Sequence, residues 1–208
     1  MSHFLLVSMS ITHYTREYLE KLHQIFGSFI IEKTIPSLSR ILEEPVEYNL
    51  RRIREIEIMD LENMMPTFED TMTMSAVYVK GEGDLRIGIL LCMPERDSKK
   101  LSAKLLGKSK MSSLTSVGRS SISEIGNILS ASILNAISNN GLKVESSVPG
   151  FAIDTFRTLI EFVASEIGSK SDRLIIANVD LIGINSGTKL HILLVQDDQE
   201  ARKLLLHN

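Results

Sequence analysis

Ser120, Glu124 and Asn127 are spaced four and three residues apart, and Ala131 follows four later. In a helix, such positions share one face. Ile122, Ile125, Leu129 and Ile133 recur at the same period and form the opposite, core-facing stripe. The stretch therefore reads as an amphipathic helix that shows a carboxylate and an amide, one turn apart, on its outer side. Such a pair can touch one partner together, the carboxylate as a charged acceptor and the amide as donor and acceptor at once. On a solvated helix face the same two residue types are also ordinary, so their weight depends on the rest of the chain.

Other residues capable of chemistry contribute little. Cys92 is the only cysteine, which rules out an internal disulfide and disfavours a Cys-based zinc site. It lies in the apolar run Gly88-Ile89-Leu90-Leu91-Cys92-Met93 and reads as a buried structural thiol. The five histidines, at 3, 13, 23, 191 and 207, show no ligand spacing and read as structural or surface residues. Gly81-Glu82-Gly83 lacks the further glycines, the Lys-Ser/Thr pair and the following helix of a phosphate-cradling loop. No cofactor is expected on this chain.

The 208 residues are 43% hydrophobic, enough for a sizeable core in one domain or two small halves. A formal charge of −3 and a pI near 6.0 argue against a dedicated nucleic-acid binder. No apolar run approaches the roughly 18 residues needed to span a bilayer. The opening Met1-Ser2-His3-Phe4-Leu5-Leu6-Val7 lacks a basic n-region and an A-x-A-like cleavage site, so the expectation is a cytoplasmic protein with no membrane insertion.

A helical pattern runs from Thr15, a suitable N-cap, to Leu42, and Pro36 is expected to kink or divide it. Val46 to Ile58 reads as extended, and Asp60 to Asp70 as a loop or short helical turn. Met72 to Val79 and Leu85 to Met93, around Lys80-Gly-Glu-Gly-Asp84, make a β-hairpin. A helix follows from Pro94-Glu95 to about Leu106, then a Lys- and Ser-rich connector from Gly107 to Ser116. The Ser120 helix ends at Asn140-Gly141, and Leu142 to Phe151 is extended. Asp154, read as an N-cap, starts a helix to Ile167. A second hairpin joins the run from Asp172 to Ile184 to that from Lys189 to Val195, and a short helix covers Gln199 to Leu206.

The order helix, extended segment, hairpin, helix thus occurs twice. It predicts an α+β fold with a pseudo-twofold repeat built on antiparallel strands. The two halves span about 15–106 and about 117–206 of a single domain covering 1–208.

The Ser120 helix resembles the signature of the CheC/CheX/FliY chemotaxis phosphatases. Their pattern is Asp or Ser, three residues, Glu, two residues, Asn, then Pro after about 22 more. Ser120, Glu124 and Asn127 fit, and Pro149 follows Asn127 after 21 residues, one short. The twofold repeat is similar to the architecture of the two-halved, CheC-like members. The resemblance implies hydrolysis of the aspartyl phosphate on a phosphorylated response regulator, CheY, which carries its own Mg²⁺ and lysine. It implies that Asn127 orients the attacking water, that Glu124 docks on the regulator's lysine, and that Ser120 and Pro149 support the site.

With Leu22-His23-Gln24-Ile25-Phe26 set beside Ile125-Gly126-Asn127-Ile128-Leu129, Glu124 falls opposite Lys21 and Asn127 opposite Gln24. No proline stands near Arg51, the place corresponding to Pro149. This first half resembles the middle domain of the flagellar switch protein FliM, which shares the fold and lacks the phosphatase residues. The resemblance therefore also admits a non-catalytic interaction protein, akin to a switch component or a CheD-binding adaptor.

Overall fold

The structure is a computed structural model and describes residues 17–51, 53–64, 72–168 and 173–206. Thr15, named above as an N-cap, lies outside them. Helix α1 covers 17–29 and leads through a π-helical turn, Ile30–Thr34, into α2, Ile35–Leu42. The turn precedes Pro36, which has no amide hydrogen and whose ring would collide with the carbonyl four residues earlier. Widening the helix there relieves both problems, so the expected break is a change of pitch.

The strands and helices that follow are β1 (Val46–Leu50), β2 (Arg54–Glu57), β3 (Thr73–Gly83), β4 (Ile87–Pro94), α3 (Glu95–Leu105) and α4 (Ser116–Asn139). After them come β5 (Val144–Ser146), β6 (Gly150–Thr155), α5 (Phe156–Ile167), β7 (Arg173–Gly183), β8 (Lys189–Asp197) and α6 (Asp198–Leu206). Between β2 and β3, where the second half has α5, stands a 3₁₀ helix, Ile58–Met64. Several boundaries differ from expectation. The extended segment from Val46 divides into β1 and β2, and β3 continues through Lys80–Gly83, expected as the turn, because Gly81–Gly83 pair with β5. Asp154 remains in β6, its Oδ1 accepting from Thr155 N–H at 2.7 Å, and Thr155 is the N-cap, its Oγ1 accepting from Thr158 N–H at 3.3 Å. The Ser120 helix starts a turn earlier, capped by Thr115, whose Oγ1 accepts from Gly118 N–H at 3.3 Å.

All strand pairs are antiparallel, in the order β1-β7-β8-β4-β3-β5, with β2 also on β7 and β6 also on β3. Exchanging the halves leaves that order unchanged. Each half lends its first two strands to the other half's hairpin, so the repeat interlocks. Along β3 and β7 the burial alternates almost identically. β4 is buried throughout because helices cover both faces of the sheet, and it reads accordingly as an unbroken apolar run.

Leu22, Phe26, Ile30, Ile122, Leu129 and Ile133 pack on one face with Val77, Leu91, Ile192 and Leu194. On the other face Phe156, Leu159, Ile160 and Val163 of α5 cover Ala76, Leu90, Leu193 and Val195. Each fully buried large aliphatic contributes roughly 1.5–3 kcal/mol relative to exposure.

Burial corrects the helix register. Buried Tyr18, Leu22, Ile25, Phe26, Phe29 and Ile30 match buried Gly118, Ile122, Ile125, Gly126, Leu129 and Ser130. The register inferred from sequence would set buried Ile25 against Ile128, which is 39% exposed. In the matched phase Gln24 stands opposite Glu124 and Gly27 opposite Asn127. The first helix still lacks the carboxylate–asparagine pair.

Candidate functional site

Helix α4 is the longest among the described residues and carries three of the four sequence-selected residues. Its buried side follows Ile122, Ile125, Leu129 and Ile133, as the periodicity requires. Gly126 lets it approach the sheet closely. A Cβ built there would lie 2.5 Å from Cβ and Cγ1 of Val77 on β3. Nearer the start of α4, Gly118 faces Leu114, Met111 and Ser102, and the Ser102 hydroxyl donates to the Gly118 carbonyl at 3.2 Å.

With the buried side fixed, the polar residues point outward. Glu124 and Ser120 are exposed and Asn127 is half-buried. Neither Glu124 nor Asn127 has a side-chain hydrogen bond or ion pair among the described residues. Ser120 is occupied differently: its hydroxyl donates to the Ser116 carbonyl at 3.1 Å, within its own helix.

Pro149 is half-buried in the link between β5 and β6, strands that α4 contacts. The link is fastened to β3 through Lys80: Ser147 N–H donates to the Lys80 carbonyl at 2.7 Å, and Ser147 Oγ accepts from Lys80 N–H at 3.0 Å. Val148, beside Pro149, is 88% exposed, and Ile128, beside Asn127, is partly exposed. These apolar side chains escaped the sequence reading. The signal for Ile128 was present, since it falls off the stripe that buries Ile125 and Leu129. At the corresponding junction in the first half, between α1 and β1, lies a cleft of about 750 Å³ lined in part by Gln24, Gly27, Tyr48 and Asn49.

A second polar cluster could not be read from sequence. Strand register places Cys92 of β4, His191 of β8 and Asp180 of β7 in one row across the sheet. Nδ1 of His191 lies 2.7 Å from Oδ1 of Asp180, and Arg51 Nε donates to Asp180 Oδ2 at 2.8 Å. Burial pushes the Asp180 carboxyl up, but the hydrogen bonds from His191 and Arg51 outweigh it and hold the group below the usual Asp range. Cys92 is fully buried, and that burial pushes its thiol far above the ordinary cysteine range. A thiol so held supplies no thiolate, so the row braces three strands. Among the described residues no three His, Cys, Asp or Glu side chains converge as metal ligands.

No protein-family model matches the sequence, and no curated protein matches it. Solved structures do. FliY of Thermotoga maritima superposes with a TM-score of 0.71 at 15% identity, over 92% of this chain and 95% of that one. FliM in the FliM–SpeE complex of H. pylori gives 0.64 at 12% identity, over 92% and 94%. The chemotaxis protein CheX of Desulfovibrio desulfuricans gives 0.53 at 12% identity, over 82% and 97%. The chain has the fold shared by the CheC-like, CheX, FliY and FliM proteins. At these identities the likeness is one of fold alone. Among the described residues no helix of this CheC-like fold is long and apolar enough to cross a membrane.

Proposed function

We propose that this chain is a CheC-like phosphatase that hydrolyses the aspartyl phosphate of a phosphorylated response regulator of the CheY type. The observation that carries the reading is the outward pair on α4. Glu124 and Asn127 stand one turn apart, free of side-chain partners among the described residues, on a helix held to the sheet by Gly126.

Hydrolysis of an acyl phosphate in a regulator that has its own Mg²⁺ and lysine lacks one thing, a water held in line with the scissile bond. The Asn127 amide orients that water, accepting one of its hydrogens while its NH₂ donates elsewhere. It acts by position, since phosphoryl transfer depends chiefly on alignment and electrostatics. Glu124 forms a charge-assisted hydrogen bond with the regulator's lysine and so sets the register of docking. Ile128 and Val148 flank the pair with apolar surface. Ser120 supports the helix, and Pro149 shapes the β5–β6 link.

A second reading is a non-catalytic interaction protein, a flagellar-switch-like component or an adaptor for CheD. It draws on the superposition on FliM, which at a TM-score of 0.64 over 92% of this chain exceeds that on CheX, at 0.53 over 82%, and matches FliY in coverage. FliM stands there in a complex with a partner protein, SpeE. Phosphate release from phosphorylated CheY separates the two readings. Faster decay in the presence of the chain supports the phosphatase. Unchanged decay with retained binding of CheY or CheD leaves the adaptor.

A further inference from the structure

The formal charge of −3 hides an uneven distribution. From Ser98 to Ser123 there is no Asp or Glu, while Lys99, Lys100, Lys104, Lys108, Lys110 and Arg119 all fall within it. Helix α3 and the connector after it fold this stretch around a cleft of about 520 Å³. Arg96, Lys99, Lys100 and Lys104 line one side from α3, and Lys108 and Lys110 line the other.

Local compensation is partial. Lys99 reaches Glu95 at 2.9 Å, and Lys100 and Arg96 lie 3.6 and 3.7 Å from Asp97. Asp97 is itself buried, and its Oδ2 accepts from Lys189 N–H at 3.4 Å. Lys104 donates to the Leu42 carbonyl at the end of α2. Lys108 and Lys110 are exposed and have no acidic partner among the described residues. Six cations thus face Glu95 and Asp97 around one concave surface, and Lys104 is also close enough to act on the buried Glu44 carboxylate.

The floor differs from the rim. It is made by Ala103 and Met111, both nearly fully buried. A cationic rim over an apolar floor matches a ligand with phosphates at one end and a flat apolar ring system at the other. Lysine ammonium groups bind phosphate as point charges, and a methionine thioether makes favourable contacts with aromatic rings. The volume lies in the range of small-molecule sites, roughly 300–1,000 Å³. A flat protein partner is a poorer match, because lysine is depleted at the cores of protein interfaces.

We infer that the cleft between α3 and the 107–111 connector binds a nucleotide-class phosphate ligand, its phosphates on Arg96, Lys100, Lys108 and Lys110 and its base on Ala103 and Met111. This site is independent of Glu124 and Asn127.

The test is calorimetric titration of the full chain with ATP at near-physiological salt, with inorganic triphosphate, adenosine and a poly-glutamate peptide as separate arms. Saturable one-to-one binding of ATP, tighter than either triphosphate or adenosine, supports the site. Lys108→Glu with Lys110→Glu weakens ATP binding about tenfold or more, and Arg96→Glu with Lys100→Glu does the same from the opposite wall. Both variants alter exposed side chains, and matching thermal unfolding establishes that they fold. Absent or non-saturating ATP binding overturns the proposal, as does binding that either double variant leaves unchanged. Triphosphate binding as tightly as ATP overturns the nucleotide assignment, and preference for poly-glutamate replaces it with an acidic protein segment.

Discussion

Gly126 lies so close above Val77 that a methyl group in place of its hydrogen would sit 2.5 Å from the valine Cβ and Cγ1. Val77 is fully buried in the middle of β3, between β4 and β6, so it has little room to yield. The contact sets the distance between α4 and the sheet, and with it the position of Glu124 and Asn127 on either side of that glycine.

Gly126→Ala is expected to destabilise the fold despite alanine's better helix propensity, because overpacking of this kind costs about 1–3 kcal/mol. In a chain of this size that lowers the melting temperature by about 2–4 °C per kcal/mol. Thermal unfolding followed by circular dichroism checks it, and an unchanged or raised midpoint would contradict the close contact.

Asn127→Ala is expected to reduce CheY dephosphorylation on the order of 10²-fold, the usual effect of losing one positioned polar group. Alanine is the better helix former, so the melting temperature should hold or rise slightly. Full activity in this variant rejects Asn127 as the water-orienting residue. Glu124→Lys is expected to weaken binding of the regulator by placing an ammonium against its lysine, which surface plasmon resonance reports directly.

Acid should loosen the sheet in a way traceable to two carboxylates. Glu44 accepts hydrogen bonds from Ser186 N–H at 2.8 Å and Asn185 N–H at 2.7 Å and from the Ser186 hydroxyl, which clamps the β7–β8 turn to the chain after α2. The Ser186 hydroxyl bond leads in holding Glu44 below its ordinary range, and Asp180 is held below its own. Both groups therefore take up protons more readily in the unfolded chain. The stability they add is present above the ordinary values of 4.5 and 3.8 and is lost as the pH falls through the depressed folded ones. Urea midpoints measured between about pH 3 and pH 6 should fall on acidification. Glu44→Gln with Asp180→Asn should flatten that limb, and an equally steep limb in the double variant would remove these residues from the explanation.

Cys92 should be silent toward thiol reagents in the native protein. It is fully buried, and the same burial keeps it protonated at neutral pH. Labelling with Ellman's reagent should proceed only as the sheet opens and should accelerate in step with urea unfolding. Rapid stoichiometric labelling of the folded chain would show that β4 is more accessible than its packing implies.

The features that the sequence announces correctly are those with a local cause. Alternating apolar runs around Lys80-Gly-Glu-Gly-Asp84 and Asn185-Ser-Gly-Thr188 mark two hairpins because side chains in a strand point to opposite faces with a period of two. The three-to-four spacing of Ile122, Ile125, Leu129 and Ile133 turns Glu124 and Asn127 outward for the same kind of reason. The relation between the halves has no local cause. That β1 and β2 pair with β7, and β5 and β6 with β3, depends on which distant edges can satisfy their backbone hydrogen bonds while burying a shared face. For the same reason the pairing of the two long helices is decided by the sheet beneath them, which places Gln24 and Gly27 opposite Glu124 and Asn127. The row of Cys92, His191 and Asp180 likewise joins residues on three separate strands, whereas the basic cleft is local in sequence, and only the fold of α3 against the connector after it sets Arg96 and Lys100 across from Lys108 and Lys110. Sequence alone determined which side chains face outward on α4. Only the tertiary structure decided how close that helix lies to β3, because packing depends on the shapes of both partners and Val77 stands far from Gly126 along the chain.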